Sequence, residues 1–250
     1  MTITSTTDER GYYLGSDGSY YAAVTANDYG AINIFSTGAG IENGVVYYFK
    51  VEPIRWRILS ENDETAFILC DSIIDCMAYQ SSVTKIDGVY YTTANGAPDG
   101  TFANNYKYSE VRRWLNNNFY NTVFAEYQQQ VILTALVDNS VPADNPNGCE
   151  DTEDKIFILS SSEVNNDEYG LFISFGGTIE EYQMQNSDYC RAIGGRTNSE
   201  TGNGDWWLRT PESQNTKGMH GIGRWGNTSM SADVSVKIVG VVPAMWIKLI

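Results

Sequence analysis

A chain of 250 residues with 42% hydrophobic and 19% charged residues is long enough to bury a core without metal or disulfide staples. Its formal net charge of -15 argues against a nucleic-acid partner, because neutralising phosphates requires Lys and Arg in excess. No stretch approaches the roughly 18 unbroken apolar residues that a spanning helix needs, so no membrane insertion is expected.

Residues 1–10 lack the basic start and apolar run of a signal peptide and read as a disordered tail, followed by a single domain over 11–250. Within a segment rich in Tyr, Gly, Ser and Thr, Tyr20 to Val24 and Val45 to Phe49 read as edge strands. The turns fall at Ser16-Asp17-Gly18 and Glu42-Asn43-Gly44. Ile54, Trp56 and Ile58 alternate with Arg55, Arg57 and Leu59, which predicts a strand with one apolar face, and the continuous run Ala66 to Cys70 suits a central strand beside it.

Ser109 precedes the clearest helix: its hydroxyl can cap the first turn, Glu110 suits the positive helix end, and Val111, Trp114, Leu115 and Phe119 follow helical spacing. A second helix over Ala125 to Ile132 would turn Phe124, Tyr127 and Val131 inward. Asp138 to Asp154 reads as a polar loop, Ile156 to Leu159 as a buried strand and Ser160 to Glu163 as the start of a short helix. Asn165 to Gly204 reads as loops with one short helix around Glu180 to Gln185. A last strand would set Val234, Val236 and Ile238 against Ser235, Lys237 and Val239, with Met245 to Leu249 closing the sheet. Strands with so few helices make the class α+β rather than a βαβ array.

One histidine, His220, leaves little room for metal or triad chemistry, and Cys70, Cys76, Cys149 and Cys190 lack metal-type spacing and read as free thiols. The acidic run Glu150-Asp151-Thr152-Glu153-Asp154 lacks the glycine-punctuated spacing of a calcium loop, and no glycine-rich loop follows a strand to cradle phosphate. No metal or other cofactor is expected. Trp56, Trp114, Trp206, Trp207 and Trp246 lie in apolar patterns and read as core. Trp225 has only Gly223, Arg224, Gly226 and Asn227 around it.

The most informative region is bracketed by two apolar frames, Trp206 to Pro211 and Gly240 to Ile247. Residues 212–239 between them mix small polar residues with Met219, His220, Arg224, Trp225 and Met230, which is how a recognition surface is composed. An ordinary hairpin whose Trp225 folds back onto the core has the same composition. From Asp205 to Ile250 the charge is about +2, leaving -17 on the rest, so this segment is spared the acidity of the body. Glycine punctuation should expose Asn215, Lys217, His220, Arg224, Trp225 and Asn227, and strand alternation should turn Asp233, Ser235 and Lys237 outward, all on one surface.

The segments Tyr48 to Leu59, Ser109 to Asn116, Asp154 to Ser160, Trp206 to Pro211 and Val242 to Ile247 resemble, in order, a domain family of gut bacteria and their phages that has no assigned catalytic function. The C-terminal frame is also similar to the formylglycine-generating-enzyme branch of the C-type lectin fold. That branch includes variable proteins diversified by retroelements, in which rewritten codons near the C-terminus place new side chains on a stable scaffold. The resemblance implies a C-type-lectin-like domain with a β-rich N-terminal segment and a variable, ligand-binding segment at 206–250. It implies a non-enzymatic protein that binds a protein or glycan at a cell or virion surface, as a surface-anchored, secreted or virion-associated chain. The enzymatic branch binds copper through two C-terminal cysteines, whereas here that part holds only Cys190. The rival readings are an oxidase or hydrolase, and a calcium-dependent lectin whose Asn/Pro signature Asn145-Pro146-Asn147 faintly resembles.

Overall fold

The computed structural model describes residues 2–27, 34–171 and 182–249. They form many short strands and a few short helices, 34% strand and 15% helix. The first strands, β1 (Ile3–Thr7), β2 (Tyr13–Gly15), β3 (Tyr20–Thr25) and β4 (Val46–Lys50), make an antiparallel sheet in that order. The expected disordered tail is thus mostly strand. Asp8 accepts the backbone N–H of Arg10 at 3.0 Å and of Tyr12 at 2.8 Å, and the turn this closes brings β1 onto β2. The two predicted turns hold, with Gly18 and Gly44 in the left-handed region that favours glycine.

In β5 (Trp56–Glu61) the predicted alternation fails at its third step. Ile58 pairs with Ile68 and Ser60 with Phe67, so Leu59 is the extra residue of a bulge. The bulge turns Leu59 into the core and leaves Ile58 58% exposed. Next come β6 (Thr65–Cys70), the short β7 (Asp75–Cys76) and the hairpin β8 (Val83–Ile86) and β9 (Val89–Thr92).

Ser109 caps α1 (Glu110–Trp114), accepting the Arg112 N–H at 3.2 Å. The helix widens into a π-helical turn over Leu115–Phe119 before α2 (Tyr120–Val123). Asn116, Asn117 and Asn121 each donate to the carbonyl four residues back, competing with the regular backbone ladder. Helix α3 (Glu126–Gln129) is shorter than predicted; of its expected inward face Phe124 is buried, Val131 is half-buried and Tyr127 is 71% exposed, and Ile132 is buried instead.

Strands β10 (Ala135–Val137) and β11 (Thr152–Asp154) pair across the polar loop. Ile156 to Leu159 is buried as predicted but pairs at a single bridge, where Phe157 and Ala244 exchange both backbone hydrogen bonds at 2.9 and 2.7 Å, while Asn116 Oδ1 takes the N–H groups of Lys155 and Ile156. Ser160 and Glu163 form a reciprocal cap on α4 (Ser161–Val164). The predicted helix around Glu180 to Gln185 falls partly outside the described residues, and Gln183 to Gln185 are not helical. Among the described residues of this region, a 3-10 turn covers Asp167–Tyr169 and α5 covers Asp188–Ala192, capped by Ser187.

The C-terminal part runs through β12 (Trp206–Pro211), β13 (Gly218–Ile222), β14 (Met230–Asp233), β15 (Gly240–Val241) and β16 (Ala244–Lys248). The strand expected over 234–239 is absent. Asp233 Oδ1 takes both the N–H and the hydroxyl of Ser235, turning the chain, and Val234 and Val239 are both buried rather than opposed.

A five-stranded sheet, ordered β14-β13-β12-β15-β7, has one parallel pair, β12 with β15. A second sheet, β16-β6-β5, makes β6 central as expected. Trp206, Trp207, Leu69 and Ile158 are buried, and Trp246 stacks on Phe67 with ring centroids 4.9 Å apart. Indole N–H groups are satisfied: Trp206 donates to the Tyr182 carbonyl at 3.1 Å and Trp207 to the Met77 carbonyl at 2.9 Å. Arg209 spans the frame, donating to the carbonyls of Ile158 and Asp138 and pairing with Glu163. Among the described residues no helix is long and apolar enough to cross a membrane.

Candidate functional site

Residues 212–239 are built around the β13–β14 hairpin. Its register pairs Gly218 with Asp233, Met219 with Ala232, His220 with Ser231 and Gly221 with Met230. Side chains of directly opposed residues share a face. Met219 and Ala232 therefore turn into the core, while His220, Ser231 and Asp233 turn away from it. The segment is not uniformly solvent-facing: Met219, Ile222, Val234 and Val239 are fully buried.

At the hairpin's turn Trp225 is 56% exposed. The Arg224 guanidinium lies 4.0 Å from its ring centroid, a stacked cation-π contact. Arg224 is held from below by buried Asp205, which accepts its backbone N–H at 2.8 Å and its guanidinium at 3.3 Å. Arg196 reaches the same carboxylate at 3.3 Å. The Asn227 backbone carbonyl closes the loop by accepting the Gly223 N–H at 2.9 Å, and its side-chain Oδ1 is buried without a hydrogen-bond partner among the described residues.

At the other end of the hairpin Lys217 pairs with Asp233 at 2.5 Å and lies 4.5 Å from the centroid of the Tyr90 ring. Burial by itself would raise the Asp233 pKa, but the hydrogen bonds from Lys217 and Ser235 bring it below the ordinary value, while Lys217 is raised by the same bond. Asn215 is half-buried in the turn that leads into β13, where its carbonyl accepts the Asn104 amide at 3.0 Å. Ser235 is exposed in the turn after β14. Lys237 departs from the expected common surface. It lines a cavity of about 330 Å³ with Cys76 and Ile193, at the β7 edge of the sheet opposite β14. Without a strand over 234–239, alternation does not carry its side chain to the hairpin face.

Asp205, buried beneath this surface, and Tyr90, beside Lys217, were not among the expected residues. Asp205 abuts an apolar frame, and only the fold turns its carboxylate under Arg224. Asn145 and Asn147 spend their amides on the carbonyls of Pro211 and Glu212, so they brace the loop before β13. Among the described residues no group of three or more His, Cys, Asp or Glu could hold a metal ion.

All four cysteines are free, and the fold brings Cys76 to Cys190 despite their separation in sequence. The Cys76 thiol donates to the carbonyls of Cys190 and Ile193 at 3.8 Å, and the Cys190 thiol donates to Asn186 Oδ1 at 3.4 Å. Burial first, then the neighbouring Cys76 thiol, push Cys190 well above a thiol's ordinary value. A cavity of about 540 Å³ lies beside α1, with Lys107, Arg112 and Lys155 on its wall. Those cations are engaged by Glu150, Asp154 and the Tyr120 hydroxyl.

Residues 63–249 match DUF6273, a domain of unknown function. The chain belongs to the DUF6273 family. The two ends of the matched span meet: Leu249 donates its N–H to the Glu64 carbonyl at 2.7 Å, and Lys248 pairs with Thr65. Both apolar frames and the hairpin lie inside the DUF6273 domain, while sheet β1–β4 precedes it. No curated protein and no solved structure matches the chain.

Proposed function

We propose that this DUF6273 chain is a non-catalytic recognition protein, and that it binds a protein or glycan at a cell or virion surface through the β13–β14 hairpin. The observation that carries this reading is the Trp225 plate: an exposed indole, stacked by Arg224, which buried Asp205 fixes in place. An exposed aromatic surface held rigid in advance loses little entropy on binding, which is what a hot spot requires. The scaffold is a C-type-lectin-like fold of the formylglycine-generating-enzyme type, with a gut-bacterial or phage source and a retroelement that rewrites the hairpin. Short strands with long loops, buried frames and a glycine-punctuated hairpin support that reading. Calcium has no part in this reading: Asn145 Oδ1, the atom that would face an ion, accepts the Asn147 N–H at 2.9 Å, and both side chains brace the loop before β13.

The test is sequence variation among copies of the gene. Exposed positions such as Gln214, Trp225, Thr228 and Ser231 should vary, because exposed substitutions usually cost within about 0.5 kcal/mol. Met219, Ile222, Val234 and the two frames should not. A near-copy of the 206–247 coding segment differing chiefly at adenines, beside a reverse-transcriptase reading frame, is the expected finding in the neighbouring DNA. Absence of both removes the retroelement and leaves a binding module without programmed diversity. Against a captured ligand, Trp225→Ala should cost roughly 2 kcal/mol or more of affinity.

A second reading, thiol-based oxidation, is favoured by the contact of Cys76 with Cys190. Thiolates, not thiols, are the nucleophiles and metal ligands, and burial holds Cys190 protonated. Oxygen consumption with a thiol substrate would support that reading over recognition.

A further inference from the structure

A second cavity, of about 480 Å³, opens at the β7 edge of the five-stranded sheet, between sheet β1–β4 and the helical segment at Trp114. Asp75 lies on its wall. One carboxylate oxygen accepts the Cys76 N–H at 2.7 Å, and the carboxylate has no ion pair or further hydrogen bond among the described residues. Burying a carboxylate without a counter-charge is unfavourable, and burial here pushes Asp75 up to about 7 against the pull of that one N–H. Its neighbour Tyr189 is pushed to about 12, by burial first and then by the Asp75 charge.

The rest of the wall has a definite pattern. Tyr12, Trp114 and Tyr189 give it aromatic surface, and the exposed Lys50 and Arg55, with Glu52 between them in sequence, stand at its rim. Neither cation makes a salt bridge among the described residues. A cavity with an unmatched anion inside, aromatic walls and unmatched cations at the mouth complements a molecule that carries both charges on one end and an apolar body. A simple amine would satisfy the interior and leave the rim unmatched, and a simple acid would do the reverse.

We propose that this cavity binds a free α-amino acid with a large apolar or aromatic side chain, its ammonium on Asp75 and its carboxylate toward Lys50 and Arg55. The side chain lies against Trp114 and Tyr189. A volume of this size is ordinary for a small-molecule site. The assignment is independent of the hairpin reading, since no residue of 212–239 lines the cavity.

Isothermal titration of the full chain with L-phenylalanine, phenethylamine and 3-phenylpropionate tests it. L-phenylalanine should bind saturably with Kd below about 1 mM. The other two lack one charge each and should bind at least about tenfold more weakly, the loss of one charge-assisted contact. Asp75→Asn, nearly isosteric, should weaken L-phenylalanine to the same degree with an unchanged circular dichroism spectrum, and Trp225→Ala should have no effect. The ligand series on the unaltered chain keeps the test valid if Asp75→Asn fails to fold. No saturable heat with L-phenylalanine, L-tryptophan or L-leucine would overturn the proposal, as would equal binding to Asp75→Asn. Phenethylamine binding as tightly as L-phenylalanine would make this a monoamine site and overturn the amino-acid assignment.

Discussion

Asp75 has an ordinary carboxylate pKa of 3.8 in the unfolded chain and about 7 in the folded one. Between those values the folded chain holds a proton that the unfolded chain has released, so stability falls as pH rises from about 4 to 7 and then stays level. Asp75→Asn removes this dependence. Urea unfolding should find variant and parent similar near pH 4 and the variant more stable at pH 8, by at most about 4 kcal/mol. A difference that does not change with pH would mean the carboxyl is not shifted. Asp233 works in the opposite direction. Its lowered pKa gives stability that is present above 3.8 and lost as pH falls through the folded value. The comparison between variant and parent isolates Asp75 from such groups. At this scale Trp225 was legible in sequence, because glycines and polar residues around it offer no apolar cover. Asp75 was not, because nothing near it in sequence indicates that Tyr189 lies beside it or that Tyr12 and Lys50 line the same cavity.

Among the elements, the β13–β14 hairpin depends on how closely it lies on β12. A Cβ added at Gly221 would sit 2.7 Å from the Trp206 carbonyl oxygen and 2.5 Å from Met230 Sδ. Met230 can swing aside, but a backbone carbonyl held in a sheet cannot. Gly221→Ala should therefore splay the hairpin from β12 and cost about 1–3 kcal/mol, seen as a lower urea midpoint. A neutral result would mean that the hairpin tolerates displacement, and Trp225 would then not be held in advance for binding. Strand patterns themselves were legible where a residue's neighbours in sequence set its environment, as in the buried run Ala66 to Cys70. They failed at Leu59, where a bulge shifts the alternation by one residue, and at 234–239, where the Asp233 side chain turns the chain. In both places a local hydrogen-bonding choice outweighs an apolar period of two.

For the molecule as a whole, sheet β1–β4 and the DUF6273 domain differ in how they are held. Tyr21 is the only buried large side chain on those four strands, and Leu14, Tyr20, Val46 and Tyr48 are exposed. Ala66 to Cys70 of β6 and Trp206 to Leu208 of β12 are buried throughout. Local opening requires least free energy where few apolar contacts are lost. Hydrogen exchange should therefore run faster for backbone amides of β1–β4 than for those of β6, β12 and β16. Equal protection across both would show that the N-terminal sheet unfolds only with the whole domain. It docks on α5 through one aromatic contact, Phe49 edge-on to Tyr189 with ring centroids 5.8 Å apart, and through the β3–β4 connection, where Ala192 accepts the Asn27 N–H at 2.9 Å and Asp188 accepts from Ser36.

The sequence alone determined the class of secondary structure, the capped helix starting at Ser109, the central strand at Ala66 to Cys70, the buried pair Trp206 and Trp207 and the exposure of Trp225, while Trp56, Trp114 and Trp246, read as core, are only partly buried. Each depends on interactions within a few residues or on apolar periodicity, both of which are written along the chain. Only the tertiary structure decided which distant residues meet: Asp205 beneath Arg224, Cys76 against Cys190, Lys237 away from the hairpin, and Asp75 facing an aromatic cavity. Those meetings follow from the order of strands in a sheet, β14-β13-β12-β15-β7. That order is set by the combined burial of many side chains and by where each backbone edge finds hydrogen-bond partners, and no local pattern encodes it.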